Sequence, residues 1–94
     1  PYTTLFRSPE FSRAWYNLSL LLAQQDKLSS AIQAIEKAEA IEPNVADFPY
    51  VRATLLYRLG NIDEALKAAQ KALTLDPAYA PARQMIEGLQ RSQP

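Results

Sequence analysis

The sequence predicts an all-α fold in which about five antiparallel helices form a short array of repeats. Its composition favours helices, because hydrophobic residues make up 48% of the 94 residues and glycine occurs only twice, while alanine and leucine, both strong helix formers, recur throughout. The hexapeptide Ala-Glu-Ala-Ile-Glu-Pro that ends at Pro43 also returns 34 positions later as Ala-Leu-Thr-Leu-Asp-Pro, ending at Pro77. A fixed period of this length is typical of stacked helical repeats.

Apolar residues three and four positions apart indicate the individual helices and the face that each one buries. In the first repeat one such face carries Leu28, Ala31, Ile32, Ile35 and Ala38. The following repeat has the same spacing at Ile62, Ala65, Leu66, Ala69, Ala72 and Leu73. Among these, small alanine side chains allow helix axes to approach closely. The expected helices are 10–25, 29–42, 47–59, 63–75 and 79–91.

Particular residues predict where these helices begin and end. Ser29 and Asp63 can accept hydrogen bonds from the free amides at the start of the second and fourth helices, and Gly60 can end the third. Prolines stop each repeat after its second helix, because proline lacks the amide proton that a helix interior requires. Pro43 and Pro77 are of this kind. Two other prolines, Pro49 and Pro81, instead fit the first turn of a helix.

With its fixed small residues, this 34-residue pattern resembles the tetratricopeptide repeat. The first repeat, 12–45, has matching residues at Trp15, Leu18, Ser19, Ala31, Ala38 and Pro43, while Leu22 and Ile35 are hydrophobic replacements for the aromatic residues usual in the family. The second repeat, 46–79, matches at Ala53, Leu56, Gly60, Ala65, Ala69, Ala72 and Pro77, but has Pro49 and Arg52 where the family usually has Trp and Leu. Residues 80–92 resemble the helix that caps such arrays. The resemblance implies one domain, 9–94, folded as a right-handed α-α superhelix.

The first eight residues, 1–8, are expected to be a non-native leader. Their sequence, Pro-Tyr-Thr-Thr-Leu-Phe-Arg-Ser, is what one reading frame of a common DNA-sequencing adapter encodes, although a natural loop between repeats is the alternative. The native protein is then expected to extend further towards its N-terminus. Trp15, Leu18 and Leu22 would leave an exposed apolar patch at the uncapped N-terminal end of the array, so the array is expected either to be marginally stable alone or to self-associate through that patch.

Composition argues against several classes of function. Cysteine and histidine are absent, so the chain has no thiol or imidazole chemistry and no zinc site built from these residues. Basic and acidic residues number 10 each without runs of either sign, which disfavours nucleic acid as a partner. The longest apolar run, 20–23, is far shorter than the roughly 20 residues that span a bilayer. We therefore expect a soluble protein, cytoplasmic or periplasmic, without cofactors or membrane insertion.

The carboxylates are not expected to form a metal site or an active site. Glu36 and Glu39 are three positions apart on one helix and could hold a cation, but a solvated helix face is the simpler interpretation. The serines have no histidine partner, and no phosphate-binding loop is present. The chain is therefore not expected to be an enzyme.

The resemblance implies a concave surface, formed by the first helix of each pair, that binds a peptide or a partner domain. The residues that map to this groove are Arg13, Tyr16, Leu20, Gln24, Asp47, Tyr50, Thr54, Tyr57, Arg58 and Gln84. Tyrosine is enriched where interfaces carry their binding energy, although these rings could instead fill gaps between helices.

Two further expectations concern the kind of partner and the role of the array. Chaperone-adaptor arrays grip a terminal carboxylate at five places, which here hold Tyr16, Leu20, Val51, Pro81 and Met85. None of these can supply a charged grip, so that class of ligand is disfavoured. The alternative function is architectural, with the array serving as a docking appendage of a larger, possibly enzymatic, protein.

Overall fold

The computed structural model describes residues 9–92, so the expected leader, 1–8, lies outside the described residues. The described part consists of helices without strands. These are α1 (Pro9–Gln24), α2 (Leu28–Ile41), α3 (Asp47–Arg58), α4 (Ile62–Leu75) and α5 (Ala80–Ser92). Every helix expected from the sequence is present, with its ends within one residue of the predicted position. The prediction of an all-α fold is confirmed.

Each helix packs mainly against its neighbours in the sequence, most extensively within the pairs α1–α2 and α3–α4. Three residues connect the helices of each pair, 25–27 and 59–61. Connections this short require the two helices to run antiparallel. The α2–α3 and α4–α5 contacts then stack one pair on the next, which gives a helical solenoid.

The turn within each pair has the same backbone geometry in both repeats. Gly60 has φ +89° and ends α3 as predicted, and the amide of Asn61 donates to the carbonyl of Leu56 at 2.9 Å, which is the long hydrogen bond of a Schellman motif. In the first repeat Asp26 takes the corresponding place with φ +61°, and the amide of Lys27 donates across the turn at 2.9 Å. Aspartate is one of the few residues that tolerates this left-handed conformation.

The predicted caps at Ser29 and Asp63 are wrong. The helices begin one residue earlier than expected, so the capping positions fall on Lys27 and Asn61, and neither makes a side-chain capping hydrogen bond. The physical reason is the tightness of the preceding turn, which returns the chain directly into the next helix. The prolines behave as predicted, since Pro49 is the third residue of α3 and Pro81 the second of α5.

The core consists of two clusters. One lies between α1, α2 and α3 around Ile35 and Leu55, which are the largest fully buried aliphatic side chains. The other lies between α3, α4 and α5 and consists largely of alanine, as the close approach of these helices requires. The alanines with no exposed surface are Ala31, Ala38, Ala53, Ala65, Ala69, Ala72 and Ala82.

A buried ion-pair cluster connects α2, α3 and α4. The Glu39 carboxylate accepts hydrogen bonds from Nε of Arg52 at 2.7 Å and from its Nη2 at 3.3 Å, and it lies 3.3 Å from Nζ of Lys71. Its side chain is only 10% exposed, so the expectation that Glu39 belongs to a solvated face is wrong. The resemblance to the tetratricopeptide repeat predicts leucine at position 52, and this acidic partner explains why an arginine is accommodated there.

Candidate functional site

A groove of about 610 Å³ runs between α1 and α3. Six of the residues predicted from the sequence lie together in its lining: Tyr16, Leu20, Gln24, Tyr50, Thr54 and Arg58. The remaining lining residues are Ala23, Val51, Leu55 and Tyr79. Most of this surface is aromatic or aliphatic, and the polar groups lie mainly on α3.

Helix α1 has three distinct sides, and one of them lines the groove. Residues 12, 15, 19 and 22 face the interior, where Ser12 and Ser19 are fully buried and the Ser19 hydroxyl donates to the Ala31 carbonyl at 2.8 Å. Residues 13, 16, 20 and 24 share a second side, since they are three or four positions apart, and three of these four line the groove. Residues 14, 18 and 21 share a third side that faces away from it.

Helix α3 contributes its own polar stripe to this region, with Asp47, Tyr50, Thr54 and Arg58 at steps of three and four residues. The Tyr50 ring meets the Tyr79 ring edge to face, with 5.5 Å between centroids and an angle of 63°. This arrangement is a favourable one for two aromatic rings. It places two phenol rings at the Asp47 end of the groove.

Tyr79 was not predicted as a groove residue. It precedes α5 and reaches back to α3, where its hydroxyl donates a hydrogen bond to Asp47. Burial and this carboxylate together raise the pKa of Tyr79 above its ordinary value, so the ring remains neutral and continues to donate. The 34-residue period gives no signal for it, because the corresponding position of the first repeat is Val45.

Arg58 lies at the opposite end of the groove. Its Nη2 donates to Asp26 Oδ1 at 3.2 Å and to the Ala23 carbonyl at 3.4 Å. That carbonyl belongs to the last turn of α1, where a cation is favoured by the partial negative charge of the helix C-terminus. The Arg58 side chain is 45% exposed and contributes to the groove lining.

The other predicted groove residues are separated from this groove. Arg13 and Asp47 line an adjoining pocket of about 340 Å³, together with Glu42 and Phe48. Tyr16 lines both pockets, and its ring is 5.5 Å from the ring of Phe48. The adjoining pocket therefore extends the concave surface beyond the N-terminal end of α3.

Tyr57 and Gln84 face a different part of the surface. Tyr57 is half exposed and lines a separate pocket of about 340 Å³ with Met85, Gly88 and Leu89 of α5. Gln84 is exposed on α5 and lines none of these three pockets. Because Tyr57 is one position from Arg58, its side chain points about 100° away from the α3 stripe.

The tyrosines of the groove both pack and remain accessible. Tyr16 and Tyr50 are half-buried and lie against the two core clusters, one on each. The alternative that they fill gaps between helices is therefore true of one side of each ring. The other side lines the groove, which gives a rigid aromatic surface with little rotamer entropy left to lose on binding.

The third side of α1 carries an exposed apolar surface. Leu18 and Leu21 are 38% and 50% exposed, and Ala14 beside them is also exposed. Trp15 and Leu22, which were expected to belong to this patch, instead lie against the core, with the ammonium of Lys37 5.0 Å from the Trp15 ring centroid. We call the surface formed by Ala14, Leu18 and Leu21 the end face.

Residues 9–92 hold no group of three or more carboxylate, histidine or cysteine side chains that could bind a metal ion. None of the helices in this part of the chain is long and apolar enough to cross a membrane.

Comparison with known proteins identifies both repeats. Two family models described as Tetratricopeptide repeat match, one over residues 12–45 and one over residues 50–79. The TPR repeat-containing protein MJ1428 of Methanocaldococcus jannaschii is 36% identical over 58 residues, which is 62% of this chain and 10% of that protein. The crystal structure of MamA superposes with a TM-score of 0.82 at 26% identity, over 85% of this chain and 47% of MamA. The chain thus spans a tenth of the first protein and about half of the second.

Proposed function

Because the chain belongs to the tetratricopeptide repeat family, we propose that it binds a peptide or partner domain in the groove between α1 and α3. Repeats of this family are generally protein–protein interaction modules. The observation that carries the proposal is the groove itself, where six residues expected from the sequence form one continuous lining. The volume of about 610 Å³ lies within the range that is typical of ligand-binding clefts.

The lining supports binding for two physical reasons. Tyr16 and Tyr50 are held in place by the core on one side, so a partner would gain contact area without ordering flexible side chains. Leu20 lines the same groove, is 38% exposed and offers an apolar surface that water leaves on binding. Both features are common where a few residues dominate the energy of an interface.

Leu20→Lys is expected to weaken capture of a groove-binding peptide by about tenfold, because it places a charge on the apolar floor of the groove. The measurement is fluorescence anisotropy with labelled ten-residue peptides selected on the wild-type protein. Tyr50→Ala should have a similar effect through the loss of a ring. Leu59→Lys is the matched control, since Leu59 is 43% exposed and lies outside the groove lining. Equal affinities for Leu20→Lys and wild type would contradict the proposal.

We also propose that the chain carries out no catalysis and binds no nucleic acid. Proteins of this fold are typically interaction scaffolds rather than enzymes. Several of its carboxylates already serve structural contacts: Glu39 pairs with Arg52 and Lys71, while Glu42 and Asp47 accept hydrogen bonds from hydroxyl groups. The balance of 10 basic and 10 acidic residues provides no field to attract a polyanion.

A second candidate function is architectural, with the array docking or assembling a larger protein. The observation that favours it is the end face, where two leucines are substantially exposed on a side of α1 that does not face the groove. An apolar surface of this kind supports self-association, and its small area implies a weak interface.

Self-association through the end face should appear as a rise in mean mass with protein concentration in analytical ultracentrifugation. The double variant Leu18→Lys and Leu21→Lys is expected to remain monomeric over the same range, because two opposed charged faces repel. Leu59→Lys again provides the control for an exposed leucine elsewhere. A wild-type protein that is monomeric at every concentration would rule out this interface.

A further inference from the structure

The concave surface, made up of the main groove and the adjoining pocket, carries different charges at its two ends. Among the lining residues of the main groove within 9–92, Arg58 is the charged one. The adjoining pocket at the other end holds two carboxylates, Glu42 and Asp47, against the single guanidinium of Arg13. The surface therefore presents a guanidinium at one end and an excess of carboxylates at the other.

The distance between the two ends follows from the helix that carries both. Asp47 and Arg58 are the first and last residues of α3. At a rise of 1.5 Å per residue, these positions are about 16 Å apart along the helix axis. An extended peptide advances about 3.3 Å per residue, so it covers the same distance in about five residues.

The charged groups at both ends can take an external partner. Arg58 is paired with Asp26, but the Asp26 side chain is 83% exposed, and an ion pair in so much water is weak. At the other end the Tyr79 hydroxyl occupies one oxygen of Asp47, and the second carboxylate oxygen can accept further hydrogen bonds. A ligand's cation can therefore approach Asp47 without displacing Tyr79, and displacing Asp26 from Arg58 costs little.

We propose that the groove binds an extended peptide with an acidic residue at the Arg58 end, a basic residue about five positions away at the Asp47 end, and apolar side chains between them. The inference rests on the proposed peptide-binding function and adds the chemistry of the ligand. Leu20, Tyr16 and Tyr50 form the apolar middle of the surface. The two charges fix the register and direction of the peptide more than they raise its affinity.

The test is an array of synthetic ten-residue peptides with a fixed apolar centre. Lysine and glutamate are placed three, five or seven positions apart, in both chain directions, with glutamine as the neutral substitute for each. The wild-type protein is expected to bind the five-position pair best, with about a threefold loss for each charge that is replaced by glutamine.

Arg58→Glu is expected to reverse the charge preference at its end of the groove. The ratio of the affinity for a peptide with lysine there to the affinity for one with glutamate should be about tenfold higher than in wild type. Arg91→Glu makes the same change of charge on the exposed surface of α5 and should leave the preference unchanged. Helicity and melting temperature of both variants confirm that they are folded.

The results distinguish an error in the proposed charge pattern from a failure of peptide binding itself. If peptides bind regardless of charge, but lose affinity to Leu20→Lys, the groove binds peptides and the charge pattern is wrong. If Arg58→Glu keeps the wild-type preference, the assignment of Arg58 is wrong. If no peptide binding depends on Leu20, both the proposed function and this inference fail.

Discussion

Replacing Glu39 with glutamine is expected to lower the free energy of unfolding by about 3 kcal/mol, since removing one partner of a buried ion pair leaves the other charge uncompensated. The side chain of Arg52 is 20% exposed and is held by two hydrogen bonds to Glu39. Lys71 is 46% exposed and can turn towards water, so Arg52 accounts for most of the cost.

The measurement is urea unfolding followed by circular dichroism. Glu36→Gln is the matched control, because Glu36 is exposed on the same helix, and a change below about 0.5 kcal/mol is expected there. The double variant Glu39→Leu and Arg52→Leu should recover most of the loss, since it replaces a buried pair by apolar packing. A cost for Glu39→Gln no larger than that for Glu36→Gln would show that the cluster contributes little to stability.

Ile35→Ala is expected to lower the free energy of unfolding by about 4 kcal/mol. Ile35 has no exposed surface and lies at the centre of the cluster between α1, α2 and α3. Its truncation removes buried methyl groups and leaves a cavity that the surrounding helices fill only in part. A chain of this size has a total stability of roughly 5–14 kcal/mol, so the loss is a large fraction of it.

Thermal and urea unfolding of Ile35→Ala and of Leu59→Ala provide the comparison. Leu59 is 43% exposed, and its truncation should cost only about 1 kcal/mol because much of its side chain already contacts water. Similar losses for the two variants would mean that the interior around Ile35 is not closely packed.

The helices and the groove were predictable from the sequence to different extents. Helix positions depend on contacts between residues three or four apart, so periodicity located them to within a residue. Side-chain caps depend on the angle at which the chain enters each helix, and the tight turns at Asp26 and Gly60 altered that angle. The expectations for Ser29 and Asp63 therefore failed although both residues have capping side chains.

The lining of the groove was likewise predictable only in part. The resemblance to the tetratricopeptide repeat implied that Tyr16, Leu20 and Tyr50 share one surface, and these residues line one groove. It could not place Tyr79, which joins α3 by a hydrogen bond across 32 residues. Nor could it separate Tyr57 from the α3 stripe, because that requires knowing which side of α3 meets α5.

The sequence by itself determined the 34-residue period, the five helices and the alanine positions where helices approach closely, because each follows from residue type and spacing along the chain. Only the tertiary structure decided that Glu39 is buried between Arg52 and Lys71 and that Tyr79 joins the groove. These contacts join residues 13 to 32 positions apart. Their geometry depends on how the helical pairs stack, which local periodicity does not specify.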